Sequence, residues 1–201
     1  ISAIILGAFI ARAPDPERML PVYYLALGLA NPVAYAATRL QAVVLAFPPQ
    51  PPDDGRTLYF ALRAGAVLGI LPLFFILPGL VDLYYVKLQK LDPQDLALIR
   101  ITATALILYP LSVAIRAESE GRAAWQKKPS SVLSGQALFM ITILAVGYCG
   151  LGVGLPGYLI GPIGLTLGSL ASSGTIRLSL NWEKNKMLPT PPTTTSVGQI
   201  R

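Results

Sequence analysis

PSSVLSGQALFMITILAVGYCGLGVGLPGYLIGPIGLTLGSLASSGTI, residues 129–176, is 48 residues long and carries no charge. One bilayer crossing takes about 20 mostly apolar residues, so this run is too long for one span and suits two. The break falls in GLGVGLP, residues 150–156, where glycines and a proline cluster as they do in turns. Outward from there, the composition fits the same reading. The 201 residues are 53% apolar and only 13% charged, with a mean hydropathy of +0.57. Soluble domains carry about 25% charged residues, so the chain has too few to cover a water-facing surface. Lipid is the implied solvent.

The remaining uncharged runs count the other spans. Residues 19–38, 64–81 and 101–115 lack charge and extend across single arginines. The apolar segment 1–11 begins at Ile and reads as the end of a helix whose start is missing. Spans are therefore expected near 20–46, 58–81, 95–116, 132–150 and 156–177. The expected fold is an all-α integral membrane bundle of five full helices plus the truncated first one. A barrel is excluded because the apolar runs are continuous rather than alternating. By domain, 1–11 is the truncated helix, 12–180 the bundle, and 181–201 a mobile polar cytoplasmic tail. APDPER, FPPQPPDDGR and KKPSS mark connections.

Lysine and arginine set the orientation, since cytoplasmic loops carry the excess. The loops near 47–57 and 116–131, with the tail, hold Arg56, Arg116, Arg122, Lys127, Lys128, Arg177, Lys184, Lys186 and Arg201. The opposite loops hold Arg12, Arg18, Lys87, Lys90 and Arg100. The first side is expected in the cytoplasm, in a plasma or inner membrane.

Composition also limits the chemistry. The chain has no histidine and one cysteine, Cys149, so no metal, haem or iron–sulfur cofactor is expected. A histidine relay is excluded. With no paired carboxylates inside a run, no enzyme is expected. The basic stretch Arg122 to Lys128 with Trp125 reads as an interfacial anchor beside anionic headgroups and not as a nucleic-acid site.

Arg39 and Arg63 break the charge pattern, each about two turns inside a span. Two readings stand. Their long stems can lie in the acyl region while the heads reach the interface. Alternatively they face a cavity, where a planar guanidinium suits an anionic small molecule or a lipid phosphate. Asn31, before the helix-breaking Pro32, and Gln41 join them as candidate substrate-binding residues. Gly157, Gly161, Gly164 and Gly168 have the spacing of close helix packing. The aspartates 82, 92 and 95 read as interface residues, and the acids at 118 and 120 fall in an expected loop, so no coupling carboxylate is assigned.

The order of segments resembles one lobe, the C-terminal half, of the multidrug and toxic compound extrusion (MATE) and polysaccharide-flippase superfamily. RTLYFALRAGAVLGILPLFFILPGLVDLYY (56–85), the DLALIR that begins at Asp95, and the Glu-Ser-Glu-Gly-Arg exit at 118–122 carry the resemblance, which covers about 20–177. It implies alternating access, with substrate held between this lobe and a second transmembrane lobe from the same full-length chain or a second copy. The competing expectation is an integral subunit that packs a larger complex without transporting anything.

Overall fold

The structure, a computed structural model, describes residues 2–49 and 55–186. Helix α1 spans Ser2–Ile10, α2 Pro16–Thr38, α3 Leu40–Ala46, α4 Arg56–Ile70, α5 Leu96–Ala105, α6 Leu108–Trp125, α7 Pro129–Gly152 and α8 Gly157–Lys186. No strand occurs among the described residues. Five helical stretches are long and apolar enough to cross a membrane: Pro16–Ala46, Arg56–Ile76, Pro93–Trp125, Pro129–Gly152 and Gly157–Trp182. The protein is an all-α, multi-pass membrane bundle. Of the expected tail, 181–201, residues 187–201 lie outside the described residues, and 181–186 continue α8.

The spans run up and down. Arg18, early in α2, pairs with Asp95 at the start of α5, so both mark one end of the bundle. The start of α4 and the far ends of α6 and α8 meet at the other end, around Glu118.

Local chemistry explains where the helices break. Helix α2 runs uninterrupted through Pro32 and stops at Arg39. There the Thr38 hydroxyl donates to the Tyr35 carbonyl at 2.7 Å, which an α-helical Arg39 N–H would otherwise take. The Arg39 N–H turns to Ala36 instead, at 3.1 Å. Such threonine back-bonding bends helices. The interruption at 106–107, between α5 and α6, is the turn that Pro110 disrupts by clashing with the carbonyl four residues earlier. After α4 the chain tightens into a 3₁₀ turn over Leu71–Ile76 and passes Gly79 at φ +87°. It then widens into a π-helical segment, Asp82–Leu88.

Two kinds of packing follow. Toward the Asp95 end, Leu6, Ile10, Tyr23, Leu27, Tyr85, Ile99, Leu106, Ile143, Ile160 and Leu165 form a core of large side chains. Toward the Glu118 end, α2–α3, α4 and α6 meet through Ala34, Ala37, Leu40, Ala61, Val113, Ala114 and Ala117. Small residues bring the backbones together there: a Cβ on Gly65 would stand 2.7 Å from Ala114 Cβ. Lipid supplies no hydrophobic drive between helices, so close approach and polar contacts have to hold them.

Candidate functional site

Sequence polarity places residues 116–131 in a loop, but α6 continues to Trp125 and only 126–128 connect it to α7. The reason lies in the charges themselves. Arg116 with Glu120 and Glu118 with Arg122 are i,i+4 pairs, which extend a helix rather than end it. No proline follows until Pro129. The signal was present in the spacing and was masked by the polarity of the segment.

The helical extension carries Glu118 into the bundle, where it is 0% exposed. Its Oε1 accepts from Thr57 Oγ1 of α4 at 2.8 Å and from Arg122 Nε. Its Oε2 accepts from Arg177 Nη2 of α8 at 2.7 Å. Thr57 Oγ1 in turn accepts from Arg122 Nη2 at 3.0 Å. The Nε of Arg177 donates to Ser119 Oγ at 2.8 Å. One carboxylate thus joins three spans, its charge balanced by two guanidinium groups and a hydroxyl donating to it. A second carboxylate lies beside it with fewer partners. Glu120 accepts from Gln136 Nε2 of α7 at 2.8 Å and sits 3.5 Å from Arg116 Nε. The Arg116 guanidinium stacks on Phe139, 4.8 Å from the ring centroid. A seryl pair, Ser131 with Ser179 at 2.9 Å, closes the α7–α8 edge. Together these contacts form an ionic clasp across α4, α6, α7 and α8.

Among the described residues, the opposite end has no comparable layer. Arg18 pairs with Asp95 and donates to the Gln94 carbonyl at 3.2 Å, with the arginine side chain 43% exposed. Asp92 Oδ1 accepts from the Gln94 amide at 2.9 Å. Tyr85 is buried beside the edge-on ring of Tyr84; burial pushes its phenol up, so it stays a neutral hydroxyl.

The four substrate-binding candidates are spread over the α2–α4 side. Arg39 and Arg63 lie at similar depth, each seven residues from the Glu118-side end of its stretch, Ala46 and Arg56. Both are exposed. The Arg63 guanidinium reaches back one turn toward that end, lies 4.1 Å over the Tyr59 ring and donates to the Tyr59 hydroxyl. Asn31 and Gln41 are half-buried; the Gln41 carbonyl lies where a Cβ on Gly121 would stand 3.1 Å away. No hydrogen bond or ion pair joins any two of the four among the described residues. Of the glycines, Gly157 packs on Ile10, Ala13 and Met19, Gly161 on Tyr23, Gly164 on Leu6, and Gly168 on Phe139 and Ile143. They seat α8 against α1, α2 and α7. Cys149 is exposed on α7. No family model, curated protein or solved structure matches the chain.

Proposed function

We propose that the chain forms one lobe of an alternating-access transporter or flippase, clasped at its Glu118 end. The observation that carries this reading is the clasp itself: a buried carboxylate joining the ends of three spans through side-chain ionic contacts, whose exchange would not require a helix to unfold. Such contacts suit rocking of helices around a closed end. The irregular backbone over 71–88 lies at the other end, and 3₁₀ and π segments of this kind often mark hinges. The resemblance to the MATE and polysaccharide-flippase superfamily points the same way. In this reading the Glu118 end is cytoplasmic, on the lysine and arginine excess, and the membrane is a plasma or inner membrane. Arg39 and Arg63, exposed at equal depth, would meet an anionic small molecule or lipid phosphate at the face toward a second lobe.

The rival reading, an integral packing subunit, is favoured by one observation. The Arg63 head over Tyr59 has the geometry of a side chain reaching for the interface.

Vesicles reconstituted with the full chain distinguish the two. They would contain NBD-labelled phosphatidylglycerol, read by dithionite quenching, or entrapped carboxyfluorescein, read by release. A transporter lobe moves at least one probe in a protein-dependent manner, and Arg39→Gln with Arg63→Gln slows it about tenfold, as expected for losing charge-assisted bonds of about 1.5–3 kcal/mol. A folded protein that moves neither probe contradicts the transport reading and supports the packing subunit.

A further inference from the structure

Hydroxyls in the bundle differ in how they are satisfied; besides the phenols of Tyr23 and Tyr85, which are buried without a partner, the serines and threonines of the spans divide as follows. Thr102, Ser112, Ser119, Thr142, Ser173 and Thr175 each donate to a carbonyl three or four residues earlier on their own helix. Thr166, Ser169 and Ser172 have the same carbonyls within reach, yet none of their oxygens makes a hydrogen bond. All three are at least nine-tenths buried. They follow one another at three-residue steps along a single ridge of α8.

This ridge faces a place where three helices meet. A Cβ on Gly135 of α7 would stand 3.0 Å from Ser172 Oγ, and one on Gly168 would stand 2.9 Å from the Phe139 ring. That ring carries the Arg116 guanidinium of α6, whose Nε is also buried without a hydrogen bond. Helices α6 and α8 run in the same direction and are tied level at Ser119 and Arg177, so Arg116 lies within about a turn of Ser172 in depth. A buried donor or acceptor left without a partner is destabilising. Three such hydroxyls on one ridge, beside a guanidinium N–H that has only its 3.5 Å ion-pair contact with Glu120, form a matching set of donors and acceptors for something small and polar.

We infer that the ridge Thr166–Ser169–Ser172 holds a file of internal water leading from the Arg116–Glu120 pair into the membrane interior. Water suits the set because it both donates and accepts, as hydroxyls and a guanidinium N–H require, and buried waters take such positions. The ridge rises about 9 Å, room for about three waters at hydrogen-bond spacing. This inference does not depend on the transport reading; it stands or falls on the seam alone.

Thiol accessibility tests it in the full chain in lipid nanodiscs. Cys149→Ser removes the native thiol, and Ser169→Cys or Ser172→Cys is added singly. Silver ion, close to water in size, is the probe, and thiols left unreacted are counted by maleimide after denaturation. Ile143→Cys, in the apolar core, is the dry reference. A hydrated file makes both seam thiols react at least about tenfold faster than the reference, since thiol reactivity follows access. Seam thiols as inert as the reference overturn the inference. If a cysteine variant fails to fold, Ser169→Ala and Ser172→Ala decide instead. Loss of a water-bonded hydroxyl lowers the melting temperature, whereas loss of a dry unpartnered one leaves it unchanged or raises it.

Discussion

The two ends of the bundle are built by different physics. At the Asp95 end, large side chains from α1, α2, α5, α7 and α8 interlock around Tyr23, Tyr85 and Ile99. The backbone there is irregular, with 3₁₀ and π segments, and its ion pair has one arginine, 43% exposed, against a carboxylate that is 13% exposed. At the Glu118 end the helices, apart from the break at Arg39, pack closely through mostly small residues, alanine and glycine above all. A buried carboxylate with two guanidinium partners ties them. In lipid, bulk burial cannot distinguish helix neighbours from acyl chains. The lesson is that directional contacts carry the specificity at one end, and shape complementarity at the other.

Substitutions can break that contrast, and the largest effect is expected at Glu118. Glu118→Gln leaves Arg122 and Arg177 facing each other without a carboxylate; losing one partner of a buried pair costs about 3–5 kcal/mol. Denaturant titration in mixed micelles would measure it, with Glu120→Gln as the milder neighbour. Next comes Gly65→Ala. The new Cβ would stand 2.7 Å from Ala114 Cβ and 2.9 Å from the Leu111 Cα, a backbone atom, so α4 and α6 must separate, at about 1–3 kcal/mol. Arg177→Lys should follow. It keeps the charge but cannot serve Glu118 and Ser119 together with one rigid fork, and loses about 1–2 kcal/mol of charge-assisted bonding. The same titration orders all three. Asp95→Asn closes the series with the smallest shift, and one that salt reduces further, because the Arg18 head that it faces is 43% exposed and solvent screens such a charge. A large destabilisation there would erase the contrast between the ends.

How much of this the sequence revealed depends on which rule each residue obeys. Uncharged runs located all five spans because lipid tolerates few charges, and the 129–176 run divided at 150–156 as its glycines suggested. Boundaries failed where polar residues stayed helical. Reading 116–131 as a loop hid Glu118, although its i,i+4 spacing to Arg122 was in view. Arg177 gave no sign of its partner, since a contact 59 residues away depends on how α6 and α8 pack side by side. At Pro32 the opposite happened: proline suggested a kink, and the break came at Arg39 through the Thr38 hydroxyl. Arg39 and Arg63 were legible as unusual charges, but their exposure, and Arg63's seat on Tyr59, depend on which face each helix buries.

The most direct test of an end held by charge against an end held by shape is hydrogen exchange by mass spectrometry in nanodiscs, comparing 115–125 and 172–180 with 71–91. The account predicts slow exchange in the first two segments and fast exchange in the third. It also predicts that Glu118→Gln speeds the first two and leaves the third unchanged. Exchange at the Glu118 end as fast as at 71–91 in the wild-type protein would contradict it.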